Sequence, residues 1–329
     1  MNIIACTDRR VWESFIKDVH PYAYFQAWEW GDIEKAEGRK VWRVCSTNEQ
    51  VMGICQIVKI EARRGTFLHL RHGPVLRDWN NVGVFDAIIS FAKEIARKEN
   101  ASFIRISPLL DPAMSAFFQE HGFRKAPVHT MDAELVSVID LSKTDDELLR
   151  NMRKTTRNLI RRGIKDGVTV EESNDIQTCM SLYRKTSERH DFVPHTAITA
   201  EFEEYRKRGA AELLIASYQS RHLAAAIVID YNGQSMYRHG ASIPSKIPAA
   251  YVLQWEAMLR AKKRGMREYN LYGIADTDST THPWWGLTVF KKGFGGTTRQ
   301  YLHAHDLPLT MLYWLTYAIE AVRTWKRGY

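Results

Sequence analysis

Several things are scarce or missing in this chain, and each absence narrows what it can be. No stretch of about 18 consecutive apolar residues occurs, so nothing in it reads as a membrane-spanning helix. Cys6, Cys45, Cys55 and Cys179 form no CxxC pair and no disulfide-like spacing, which points to a reduced chain with buried thiols. The opening MNIIACTDRR has neither the charged leader nor the apolar run that export requires. No GxGxxG follows a strand pattern to open a helix, which argues against a dinucleotide-binding domain. The Arg/Gln-x-x-Gly-x-Gly/Ala turn that would hold a pyrophosphate at a helix N-terminus is missing too, since RRGIKDG and RKRGAAE do not fit it.

What remains is ordinary in amount and informative in pattern. The 329 residues suggest two domains, and 45% hydrophobic with 26% charged content is that of a globular protein. A net charge of +8 favours a polyanionic partner: nucleic acid, nucleotide phosphates or an anionic membrane surface.

A repeat runs through the chain. FLHLRHGPVL and SMYRHGASI are strand-like runs that reach Arg71-His72-Gly73 and Arg238-His239-Gly240. Each precedes an amphipathic helical pattern, FDAIISFAKEIARKEN and AYVLQWEAMLRAKKRG. Each helix leads to a short strand, SFIRISPLL or REYNLYGIA, and each unit closes on Gly-Phe, Gly122-Phe123 and Gly293-Phe294. The chain therefore reads as two copies of one α/β module with mixed sheets, joined near Ser137 to Thr169. Further strands come from VWRVCSTNEQVMGICQIVKI and from AELLIASYQSRHLAAAIVIDYNGQSMYRH, where Asn232-Gly233 signals a hairpin. Antiparallel strands followed by helix, strand and a closing GF segment suit an acyltransferase-type mixed sheet.

VFKKGFGG, Val289 to Gly296, poses the sharpest question. It could cradle a phosphate, form a surface turn, or carry chemistry. RNMRKTTRNLIRRGIK holds seven basic residues and no acid; on one helix Arg150, Arg153, Lys154, Arg157 and Arg161 would share a face and call for phosphate counter-ions, unless the helix is simply solvated.

FQAWEWGDIEK, LLRNMRKTTRNLIRRGIKDGVTV and YNLYGIADTDSTTHPWWGLTVFKKGFGG together resemble the Fem family of peptidoglycan bridge-forming aminoacyltransferases. The resemblance implies two tandem GNAT-like domains, at 1–145 and 146–308, with a C-terminal amphipathic helix at 309–329. The segment from Tyr205 to Leu213 is too short for the coiled-coil arm of the larger members. It also implies transfer of an amino acid from aminoacyl-tRNA to an amine of the stem peptide of UDP-MurNAc-pentapeptide or lipid II. No cofactor is implied. The implied setting is the cytoplasm or the cytoplasmic face of the membrane, and a monomer is expected.

By the same resemblance Lys291 and Phe290 belong to the tRNA end and the reacting acyl group. An ammonium there would stabilise the carbonyl oxyanion or hold a phosphate while the ring stacks on a base. If the segment is extended, Lys292 faces solvent, and Gly293, Gly295 and Gly296 would let a ligand approach. Lys35, or Glu34 one residue away, is expected near the precursor diphosphate. Arg71, His72 and Asp78 in one copy, with Tyr237 and His239 in the other, are candidate precursor contacts; Arg153 and Arg157 are candidates for diphosphate or tRNA backbone. An Arg-His-Gly repeated in both copies could equally be a structural strand end.

Two departures stand out. Ser107 lies where the family has an aspartate, so an acidic base is missing there, and the segment near Thr196 lacks an arginine. Asp276, Asp278 and His282 are the remaining loop candidates for a base, or alternatively for a metal set, with Trp284 and Trp285 as an apolar wall. PLTMLYWLTYAIEAVRTWKRGY aligns Met311, Leu312, Leu315, Ile319 and Val322 on one face, with Arg323, Lys326 and Arg327 at its end. That suits a helix on an anionic leaflet or one packed on its own core. Two rival readings stay open: a CoA-dependent N-acyltransferase, and a catalytically inactive RNA- or lipid-binding relative.

Overall fold

The computed structural model describes residues 2–326 except 49, 64, 130, 131, 133, 191, 193, 194 and 278. It divides into two units, Met1–Leu135 with Ala275–Trp285 and Gln300–Tyr329, and Val136–Ile274 with Gly286–Arg299.

The first unit runs β1 (Asn2–Ala5), α1 (Arg9–Val19), α2 (Trp28–Ala36), β2 (Val41–Asn48), β3 (Gln50–Ala62), β4 (Gly65–Arg71), β5 (Val75–Leu76), α3 (Val82–Lys98), β6 (Phe103–Ser107), α4 (Ser115–Glu120) and β7 (Arg124–Lys125). Asp8 starts α1 by accepting from the Arg10 amide at 2.7 Å. The apolar stripe of α3, with Phe85, Ile88, Ala92 and Ile95, packs on the sheet and builds the core.

The second unit follows with β8 (Leu135–Asp140), α5 (Asp145–Asn151), α6 (Lys154–Lys165), β9 (Thr169–Glu172), α7 (Ile176–His190), α8 (Ile198–Arg206), β10 (Ala211–Tyr218), β11 (Arg221–Tyr231), β12 (Gln234–Ser242), α9 (Ala249–Lys263), β13 (Glu268–Gly273), α10 (Trp285–Lys292) and β14 (Thr297–Gln300). Thr144 and Glu147 close a capping box on α5. Asn232 and Gly233 adopt φ of 47° and 84°, the left-handed pair a tight hairpin needs. The chain then returns to the first unit with β15 (His305–Pro308) and α11 (Leu312–Lys326).

The repeat is real in three dimensions. β4 pairs parallel with β6 across α3, and β12 pairs parallel with β13 across α9. Each module ends in a short helix, a buried phenylalanine (Phe123, Phe294) and a strand. Between α8 and β10 only residues 207–210 intervene, so no arm is inserted there.

The division of the chain differs from contiguous blocks at 1–145 and 146–308. The first sheet runs β1-β2-β3-β4-β6-β15-β7 and the second β14-β8-β13-β12-β11-β10-β9. β8, inside the expected first block, is therefore a strand of the second sheet, and β15, inside the expected second block, is a strand of the first. The reason is pairing: β15 sets His305 against Ile106 and Pro308 against Phe103, closing the flank of β6 that β4 leaves open. One buried cluster fixes it there: Arg105 donates to Asp306 at 2.7 and 2.8 Å and to Glu320 of α11 at 2.7 Å.

Candidate functional site

In the second unit the KKGFGG segment is helix end and turn, not extended chain. Lys291 is the next-to-last residue of α10, and its side chain is buried where Lys292 is exposed, because helical neighbours diverge by about 100°. The Lys291 Nζ donates to the Gly273 carbonyl at the end of β13, at 2.7 Å, and lies 5.9 Å from the Tyr237 ring centroid. No carboxylate among the described residues contributes to its titration, and burial pushes the ammonium down to about 7. Phe290 packs edge-on against Tyr251 and Phe294, with centroids 5.0 and 5.2 Å apart.

The glycines after Lys291 are required by the protein itself. A Cβ on Gly293 would stand 2.5 Å from Thr156 Oγ1 and 2.7 Å from Arg153 Nη2, and one on Gly296, at φ 89°, would run into the Val138 carbonyl. The expected single basic helix is two helices that break at Met152–Arg153, so Arg150 does not share a helix with Lys154 and Arg161. Arg153 donates from its backbone to the Gly293 carbonyl at 2.9 Å and from its guanidinium to the Val289 carbonyl, which bolts α6 to the end of α10. Arg157 turns back onto the Leu149, Arg150 and Met152 carbonyls, capping α5. Lys154, Arg161 and Lys165 are the members of this segment left with exposed cationic heads and no recorded hydrogen bond among the described residues.

Above Lys291, β12 and β13 pair only over Gln234–Met236 and then diverge. A register slip sets Ile227 against His239 and Val228 against Tyr237, so the ladder with β11 steps past Arg238. In a regular strand Arg238 and His239 would face opposite sides; the bulge brings both to one carboxylate. Glu201, in the first turn of α8, accepts from Arg238 Nε and meets His239 Nε2, each at 2.7 Å. Burial alone would raise the Glu201 carboxyl, yet the charge of Arg238, with His239, holds it well below the usual range. Arg238 also lies 4.6 Å over Tyr272, whose φ of 66° marks backbone strain in the YGI motif. Tyr269 donates to Gln254 Oε1 at 2.9 Å, and the Gln254 amide lies against the Tyr237 hydroxyl.

The first unit solves the same problem differently. His69 and Arg71 share a face of β4, and His72 ends the strand at φ 52°. Around Asp132 gather Arg71 Nε and Ser107 Oγ, both at 2.7 Å, His69 at 3.5 Å, and His72 on the backbone carbonyl at 3.2 Å. Burial alone would raise the Asp132 carboxyl, but Arg71 overrides it and holds the group well below the usual range. Burial pushes both imidazoles down to about 3, so they are neutral near pH 7. The FQAWEWG stretch serves this clamp: Arg71 lies 3.4 Å over Phe25 and 5.1 Å over Trp30, and Gln26 donates to the Arg71 carbonyl at 2.7 Å. The glycines of the repeated triplet make room, Gly73 for the Gln26 amide and Gly240 for the Tyr237 hydroxyl.

Several expected site residues lie elsewhere. Lys35 is exposed near the end of α2, while neighbouring Glu34 is buried and paired with Arg39. Asp78 is exposed and accepts from the Asn80 amide and side chain at 2.9 and 3.0 Å, a turn residue in this structure. Asp276 is exposed, His282 accepts from the Trp284 amide at 3.0 Å, and Asp278 lies outside the described residues. Asp132, Glu201, Gln254 and the Gly273 carbonyl were not singled out from sequence. Ser107, where an acid was expected, donates to an acid from a different segment, Asp132. A carboxyl held so far down is a poor proton acceptor near neutrality, so Asp132 orients rather than shuttles.

Residues 113–198 and 195–321 match the FemAB family. A lipid II:glycine glycyltransferase of Staphylococcus epidermidis is 27% identical over 240 residues, which are 68% of this chain and 57% of that protein. This chain thus spans little more than half the length of that relative. Among solved structures, the crystal structure of FemX superposes with a TM-score of 0.81 at 20% identity, covering 96% of this chain and 99% of FemX. A tandem GNAT protein from the clavulanic acid biosynthesis pathway gives 0.59 at 12%, covering 93% and 98%. These likenesses, with two modules of one mixed-sheet pattern, establish the tandem GNAT-like fold. The chain belongs to the FemAB family.

Proposed function

We propose that the chain is an aminoacyltransferase that moves an amino acid from aminoacyl-tRNA to an amine of the peptidoglycan precursor's stem peptide. The observation that carries this reading is Lys291, a buried amine with no carboxylate partner among the described residues, beside strands that diverge. A cation in such a place is expensive until an anion forms next to it, and acyl transfer forms one.

In the reaction the acceptor amine attacks the aminoacyl ester, a C–N bond forms, and the carbonyl oxygen takes negative charge. Collapse breaks the bond to the ribose oxygen, which gains a proton while the new ammonium loses one, so the exchange balances within the site. Lys291, held by Gly273, has further N–H bonds to offer the oxyanion. Phe290 and the exposed cations of α6, Lys154, Arg161 and Lys165, are the groups of this unit suited to a tRNA end. Arg71 and His72 in the first unit, and Tyr237 and His239 in the second, are proposed to shape precursor contacts through the two carboxylate clamps, with Lys35 and Asp78 as exposed candidates for its polar groups. Arg153 and Arg157 support the reading by positioning α6 rather than by free cationic heads.

The test is incubation of the protein with a pool of radiolabelled aminoacyl-tRNAs and either UDP-MurNAc-pentapeptide or lipid II, with label on the precursor as readout. RNase-sensitive transfer is expected, and the productive pair names donor and acceptor. No transfer to either acceptor, with acetyl-CoA consumed instead, would overturn the tRNA-dependent reading in favour of a CoA-dependent N-acyltransferase.

A further inference from the structure

Amphipathic helices ordinarily bury their apolar stripe and expose their polar one. α11 does the reverse. Toward the first unit it turns Tyr313, Thr316 and Glu320, all buried. Toward solvent it turns Leu312 (69% exposed), Leu315 (61%) and Trp325 (79%), with Ile319 and Val322 between them, and Met311 just before the helix is 82% exposed.

The inversion is built in. Glu320 reaches Arg105 at 2.7 Å, Tyr313 donates to Asp306 at 3.3 Å and packs edge-on against Phe103, and Thr324 donates to the Pro127 carbonyl at 3.1 Å. These contacts tie down the polar side of the helix and fix its rotation. An apolar residue at 320 would let the helix roll its greasy face inward; the buried ion pair forbids it.

The exposed face also has a sign. Glu320 is the one acid in α11, and it is buried, so the charged groups α11 shows to water are Arg323 and Lys326. Arg124 lies 4.4 Å over the Trp314 ring, and exposed Arg63 sits in the hairpin before Gly65, whose backbone abuts Thr316. Aliphatic side chains in the middle, indole rings beside them and cations at the rim match an anionic lipid surface, where chains are apolar and headgroups negative. A second copy of the chain fits less well, because pairing two such faces would gather the like charges of α11 with no exposed acid on that helix to offset them. At 15 residues the helix is about 22 Å long, short of the roughly 30 Å hydrocarbon layer, so it can lie along a bilayer but not cross it.

We propose that the outward apolar face of α11, rimmed by Arg323 and Lys326, docks the protein onto an anionic lipid surface. This stands apart from the transfer reaction, since vesicles free of any precursor read it. The experiment is cosedimentation of the whole protein with phosphatidylcholine vesicles, with and without phosphatidylglycerol, across a salt series. Binding at least about tenfold stronger to the anionic vesicles is expected, weakening as salt rises. Leu315→Glu with Ile319→Glu is expected to abolish binding with an unchanged melting temperature, since both side chains already face water. Arg323→Glu with Lys326→Glu is expected to erase the preference for phosphatidylglycerol. No vesicle binding by the wild type, or binding that survives the leucine and isoleucine changes, would overturn the proposal. So would a concentration-dependent dimer that the same double variant dissolves, which would give the face to a second copy.

Discussion

At the scale of single residues, burying an amine is unfavourable in a way that can be measured. Lys291 titrates near 7 in the folded chain against an ordinary 10.5, so between those values the unfolded state holds more protons. Stability therefore rises with pH across that window, by up to about 1.4 kcal/mol per pH unit. Denaturant melts from pH 7 to 9.5 are expected to show this slope in the wild type and to lose it in Lys291→Met. The same variant is expected to lower transfer by about 10²–10³-fold, the range seen when an oxyanion donor is removed, while its circular dichroism is unchanged. Asp132 and Glu201 are lowered too, but as carboxyls they are stabilised in the charged form rather than penalised for it. Their stabilisation is present above their ordinary values of 3.8 and 4.5 and is lost as pH falls below them, with neutral His69 and His72 adding to the loss from 6.5 downward. Asp132→Ala leaves Arg71 facing a buried gap, and a loss of about 3–5 kcal/mol in urea unfolding is expected.

At the scale of elements, the devices that gather side chains are local breaks in regularity. β12 bulges at Arg238, β4 ends on a left-handed His72, and the basic segment breaks between α5 and α6. Gly296 is such a device, and Gly296→Ala is expected to destabilise by about 1–3 kcal/mol, because it needs a positive φ and would press a methyl on the Val138 carbonyl. A melting-temperature comparison with Gly167→Ala, which has a similar φ but open space around it, separates the clash from the backbone strain. The repeated strand, helix, strand and Gly-Phe order was legible because hydrophobic period and turn residues write it locally. The carboxylates were not legible. Asp132 and Glu201 lie tens of residues from the Arg-His pairs they hold, and no periodicity marks an acid whose partner is set by a bulge. The sequence left α10 open for another reason: Thr288, Val289 and Phe290 favour strands by propensity, yet burial of Thr288 and Lys291 one turn apart makes the segment a helix.

At the scale of the whole molecule, strand pairing and sequence order part company. A chain cut at 145 would keep Arg105 but lose Asp306 and Glu320, leaving a guanidinium buried without either carboxylate. Such a fragment is expected to show no cooperative melt by circular dichroism, whereas the full chain does. There is a consequence for how the protein is made. A ribosome emits residues in order, and β14, which completes the second sheet, leaves it before β15, which completes the first. The unit that holds β1 to β7 is thus the one whose sheet is completed last. Until Asp306 and Glu320 emerge, its edge beside β6 stays open with Arg105 unanswered, and the segment that closes the sheet is followed at once by the helix whose outer face is apolar.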